Sequence, residues 1–170
     1  MTSHLTWDIK ALVIATAVLY LKFLVTTMIQ GRKAFAAGTR APEDKSLPMA
    51  KGAPEEQDYN VVGSPVPMAD EKAPMPLNPS SAVDEELRWK RVIQNDLESI
   101  PLALVVFSVA TFSGSNRNVN AVLTTVYTVA RLLHTVTYLN KLALPRMLSW
   151  MSGVAMIIAT AILAVIAVLK

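Results

Sequence analysis

Arg88, Arg91, Asn95 and Glu98 follow one another at intervals of three, four and three. On a helix of about 3.6 residues per turn that spacing stacks them on one face. Gln94 borders it. A second set, Arg131, His134, Thr135 and Tyr138, obeys the same arithmetic. Guanidinium forks bind carboxylates through paired bonds, while amide and carboxylate groups hold amides and amines, so the two faces together suit a small zwitterionic peptide. The same side chains can instead act as glue between helices, since polar pairs in membrane bundles contribute about 0.6 kcal/mol on average. Glu98 paired with Arg131 or Lys22 would be a bond of that structural kind. The residues alone leave these two readings level.

Other chemistries find less support. His4 and His134 are the only histidines, and no carboxylate stands at ligand spacing, so no metal is expected and His134 reads as a hydrogen-bonding group. Cysteine is absent. Any thiol must therefore arrive with a substrate, and no serine has a histidine and an acid arranged to activate it.

The elements that must position these faces are membrane helices. Hydrophobic residues make up 52% of the 170 and charged ones only 17%, a balance outside that of ordinary soluble domains. Four apolar stretches, residues 9–29, 96–112, 119–139 and 147–169, suit a bilayer core that takes about 20 residues per helix. The second is the shortest. Placing ionisable groups at such depth costs about 2.5 to 3.5 kcal/mol each, which makes them functional candidates. A cleavable signal would offer Ala34-Phe35-Ala36 as its site, but Asp8 beside Lys10, the length of the run and Lys22 within it favour a retained helix.

Net charge of +3 is spread along the chain without a compact basic stripe, so nucleic acid is not an expected partner. Lysine and arginine gather instead between the first two spans, from Arg32 to Arg91, whereas the next connection holds only Arg117. The positive-inside rule then puts the long connection in the cytosol and both termini on the far side. Residues 39–80 within it are rich in proline and acidic groups and read as a flexible loop. Ser81-Ala-Val-Asp84 resembles a capping box, so the second helix should start well before the bilayer. Pro101 should kink it, and Gly114 should close it in a short turn. Trp89 and Trp150 are expected in the interfacial belt, and Met147, Met151 and Met156 in lipid or core packing.

Arg91 with Asn95-Asp96-Leu97-Glu98, Ala130-Arg131 with His134-Thr135 and Tyr138-Leu139, and Arg146 near Ser149 together resemble the MAPEG family of membrane-associated proteins in eicosanoid and glutathione metabolism. The subgroup most similar is that of microsomal glutathione transferase and microsomal prostaglandin E synthase. Arg32-Lys33-Ala34-Phe35-Ala36 and Pro42-Glu43-Asp44 resemble the stretch after that subgroup's first helix, split here by extra residues. The resemblance implies an all-α, four-helix membrane subunit, a homotrimer, and a glutathione site between subunits near the cytosolic face. It carries glutathione contacts onto Arg91, Asn95, Glu98, Arg131, His134 and Tyr138, thiolate stabilisation onto Arg146, and an assisting acid onto Asp44. Three departures stand out. Ile93 replaces a histidine of the family motif, Pro101 comes one residue early, and the stretch from His134 to Arg146 is one residue short, so Arg146 is matched only across a gap.

The implied activity is glutathione transfer to hydrophobic electrophiles, with reduction of lipid hydroperoxides as a companion reaction. The expected membrane is the endoplasmic reticulum, with the outer mitochondrial membrane as the alternative. A non-catalytic lipid-binding scaffold and a prostaglandin E synthase-like isomerase are the alternatives within the family. A channel would require a polar stripe through the whole bilayer, and the polar residues of this sequence gather toward one side.

Overall fold

The computed structural model describes residues 5–53, 57 and 81–170. Four helices account for most of them: α1 (Trp7–Ala37), α2 (Ser81–Phe112), α3 (Arg117–Leu139) and α4 (Ala143–Val168). No strand occurs among the described residues. α1, α2 and α4 are long and apolar enough to cross a membrane. Of the four expected spans, α3 falls short on composition and α2 does not. α3 has 23 residues, sufficient length at about 1.5 Å each, but one of its faces is polar.

Helix ends follow local rules. α2 starts at Ser81 and remains helical through Pro101 to Phe112, after which Gly114 takes a φ of 75° that costs a glycine little. The Asn116 side chain then accepts from the N–H groups of Asn118 and Val119 and starts α3. α3 ends in a Schellman turn. The Leu142 N–H donates to the Thr137 carbonyl and the Lys141 N–H to the Tyr138 carbonyl, with Lys141 itself at φ 61°. A non-glycine residue there costs about 1 to 2 kcal/mol, and it turns the chain directly into α4.

The chain divides into two compact units, Met1–Leu24 with Val92–Lys170, and Val25–Arg91. In the first, Leu19 of α1, Ile100, Ala103 and Phe107 of α2, and Tyr127 of α3 form a buried cluster, against which Met156 and Ile157 of α4 pack. Phe107 and Tyr127 meet edge to face at 5.2 Å, an arrangement that contributes about 0.5 to 1.5 kcal/mol beyond area burial. The Tyr127 hydroxyl is satisfied by Ser99 at 2.9 Å. Gly153 of α4 lies beside both Tyr127 and Arg131, since a Cβ there would stand at ordinary contact distance, 3.6 Å from the Tyr127 ring and 3.9 Å from Arg131. Val13, Ile14, Leu102, Val105, Ile158 and Ile162 point outward, as lipid-facing side chains must.

The second unit joins buried apolar side chains such as Phe35 and Val83 with several polar ties. Glu86, buried, accepts from Gln30 at 2.8 Å and Lys90 at 2.9 Å, and Lys33 pairs with Glu85 at 2.8 Å. Trp89 is buried here, contrary to its expected role as an interfacial anchor, whereas Trp150 is exposed. The expected loop begins with two short 3-10 helices, Pro42–Ser46 and Pro48–Ala50, each opened by a proline whose missing N–H is no loss at that position. Gln57 is buried and bridges the Arg40 N–H and the Phe35 carbonyl. The remainder of the expected loop, residues 54–56 and 58–80, lies outside the described residues.

Candidate functional site

Arg131 lies on the buried face of α3 and is 1% exposed. Its Nη2 donates to Asp96 Oδ1 at 2.6 Å. Lys22 of α1 reaches the same carboxylate, with Nζ at 2.6 Å from both oxygens. Three helices of the first unit therefore meet on one buried anion. Two cations face one carboxylate, and all three side chains are almost wholly out of solvent.

The acid at this joint is Asp96, not Glu98. Glu98 is exposed and accepts from Gln94 at 2.8 Å. The helical pattern explains the difference: Asp96 falls in line with Val92, Ile100, Ala103 and Phe107, all buried, so it belongs to the core face of α2. Lys22 likewise falls in line with the buried residues Ala15, Leu19 and Thr26. Both alignments are visible in the sequence, Asp96 as the single polar group on an apolar stripe and Lys22 as the single charge on its own.

One turn beyond Arg131, buried His134 lies 5.8 Å from the Tyr138 ring, and the Arg146 guanidinium stands 4.7 Å over the other partner of that pair, Tyr138. The Schellman turn at Lys141 makes this stack, since it folds the start of α4 back beside the end of α3. Among the described residues no carboxylate pairs with Arg146, which is half-exposed. The His134 Nδ1 and the Arg131 Nε are buried without a hydrogen-bond partner among the described residues. Groups of that kind call for a ligand or an ordered water.

The structure thus brings His134, Tyr138 and Arg146 together and commits Arg131 to Asp96. Asn95 is next to Asp96 on α2 and half-buried, and Glu98 is two residues further on. Arg91 and Asp44 belong to the second unit. Arg91 is exposed on α2, and Asp44 pairs with Arg40 at 2.8 Å.

The polar face of α3 extends further than the sequence suggests. Asn120, Thr124, Thr128, Arg131, His134 and Thr135 are all buried, so the polar groups do not gather at one end. Most of the hydroxyls are turned inward on their own helix, Thr128 to the Thr124 carbonyl and Thr135 to that of Arg131. Asn120 bonds Ser115. Hydroxyls satisfied in this way need no water-filled lumen. On the outer side of α3 and α4 lies an open groove of about 540 Å³, lined by Val126, Val129, Leu133, Pro145, Leu148 and Ser149 among others. It reaches Pro145, next to Arg146.

These features define an all-helical integral membrane protein with a polar site built on its helices. The MAPEG family profile matches residues 11–166, and the chain belongs to that family. Membership makes it a membrane protein of glutathione or eicosanoid metabolism. Comparison with curated proteins finds no match.

Proposed function

We infer that this protein is a membrane-bound glutathione transferase that conjugates glutathione to hydrophobic electrophiles and reduces lipid hydroperoxides. The observation that carries the reading is the stack of His134, Tyr138 and Arg146, in which a guanidinium with no carboxylate partner among the described residues faces the end of α3. A thiol of pKa about 8.5 is only a few per cent ionised near neutral pH. Lowering that value by two units takes about 2.7 kcal/mol, which one or two charge-assisted hydrogen bonds of about 1.5 to 3 kcal/mol can supply. Arg146 provides that charge. Arg91, Asn95, Glu98, His134 and Tyr138 hold the peptide, and the α3–α4 groove gives an apolar substrate a route from the bilayer. Arg91, Gln94 and Glu98 are exposed on α2, which supports a homotrimer whose neighbouring copies share these groups.

The test is an assay of purified protein with glutathione, chlorodinitrobenzene and a fatty-acid hydroperoxide. Conjugation should proceed, and Arg91→Ala and Glu98→Gln should each raise the KM for glutathione about tenfold with kcat nearly unchanged, as losses of ground-state contacts do. Glutathione binding without any turnover would instead favour the non-catalytic branch of the family.

Orientation follows from the charge asymmetry. The segment between α1 and α2 should face the cytosol in the endoplasmic reticulum, with Lys170 in the lumen. Protease added to sealed vesicles should cut within residues 39–80 and spare a C-terminal tag. A protected segment with a digestible tag would reverse the orientation.

A further inference from the structure

A buried ion pair is a poor way to stabilise a helix bundle. Taking charges out of water offsets most of their attraction, and well-packed apolar residues of similar volume often do as well or better. Lipid also provides little drive to hold one apolar helix at a particular height against another, because lipid tails are as apolar as leucine. A bond of 2.6 Å between fixed atoms does hold a height. Sliding α2 against α3 by one helical turn, about 5.4 Å, would break it outright.

We propose that the Lys22–Asp96–Arg131 joint is a positioning device that sets the register of α2 against α3, and so fixes the height of Asn95 and Glu98 on α2 relative to His134 and Tyr138 on α3. The ligand named in its test rests on the glutathione reading above. The joint sits between the two groups it serves. Asn95 adjoins Asp96 and Glu98 is about 3 Å further along α2 toward the Gly114 turn, while His134 and Tyr138 are about 4.5 and 10.5 Å beyond Arg131 along the antiparallel α3, away from that turn. Lys22 adds α1 to the same anchor through both carboxylate oxygens. Arg131 is 1% exposed, so its guanidinium has little freedom to follow a displaced partner. None of the three side chains needs to touch a substrate.

Two variants test this. In Lys22→Met/Asp96→Leu/Arg131→Met every charge of the joint is replaced by an apolar side chain of similar size, and in Asp96→Glu the charges stay but the carboxylate moves out by one methylene. Glue alone would make the triple variant equivalent to the parent. Positioning predicts that it keeps the parent's assembly and melting temperature in mild detergent, yet raises the KM for glutathione at least tenfold with kcat within threefold. Asp96→Glu should raise it at least threefold, and adding Arg131→Lys, which restores the distance by shortening the donor's reach, should recover part of the loss.

Register is also read without any ligand. The chain has no cysteine, so spin labels at Leu97→Cys and Leu133→Cys, both exposed, report the α2–α3 distance in protein diluted with unlabelled copies. The triple variant and Asp96→Glu should displace or broaden that distance. A parent protein that neither binds nor turns over glutathione would fail the functional reading, and the label distances would then decide the joint by themselves. Parent-like distances in both variants overturn the proposal, as does a parent-like KM in both. If the triple variant does not fold, Asp96→Glu decides between the outcomes by the same two measurements.

Discussion

Arg146→Leu should lower glutathione turnover by about 100-fold while leaving glutathione binding within a few-fold of the parent. The expected size follows from removing one charged donor aimed at a developing anion, which costs about 10² to 10³ in kcat. The half-exposed guanidinium is held against the Tyr138 ring, and among the described residues no carboxylate draws it away. Leucine keeps the apolar stem and so preserves most of the packing at the start of α4. The ultraviolet absorbance of bound thiolate should vanish together with turnover, and stopped-flow mixing with glutathione measures both. A folded Arg146→Leu protein with the parent's thiolate signal and the parent's kcat would remove Arg146 from the chemistry.

Asp96→Asn should have the largest effect on stability. It leaves Lys22 and Arg131 buried beside a neutral amide, and breaking a buried pair from one side costs about 3 to 5 kcal/mol. For a chain of this size that corresponds to a melting temperature lower by roughly 10 °C. Lys22→Met should be far milder, because Asp96 keeps its bond to Arg131 and the joint becomes neutral. Thermal unfolding of both variants in the same detergent checks the ordering. Equal melting temperatures would mean that the carboxylate is not what holds the two cations.

Much of this architecture is legible in the sequence. Four apolar stretches mark the helices, and the spacing of Arg131, His134 and Tyr138 puts them on one face of α3. Gly114 marks the α2–α3 turn through its freedom at positive φ. What escapes has physical reasons. Glu98 looks like the ion-pair partner when charge is considered without helical phase, and it is Asp96, about 160° back around α2 from Glu98, that shares the core stripe with Val92 and Ile100. The turn at Lys141 carries no glycine, so nothing in its residue type announces the Schellman geometry that delivers Arg146 to Tyr138. Asp44 stands out as an acid near a basic stretch, but an arginine four residues earlier on the chain engages its carboxylate. Trp89 carries the signature of an interfacial anchor and is instead buried.

The polar face of α3 also bears on how the chain is built into a bilayer. During synthesis α3 emerges before α4, and alone it would have to expose Arg131, His134 and Asn120 to hydrocarbon, where a single central arginine costs about 2.5 to 3.5 kcal/mol on insertion scales. α4 is the most apolar of the helices, follows after only Asn140, Lys141 and Leu142, and carries Gly153 against the Arg131 stem. The two are therefore expected to enter as a hairpin, with the late helix carrying the early one into the membrane. Asp96 and Lys22, made earlier, are expected to take up the arginine once that hairpin is in place.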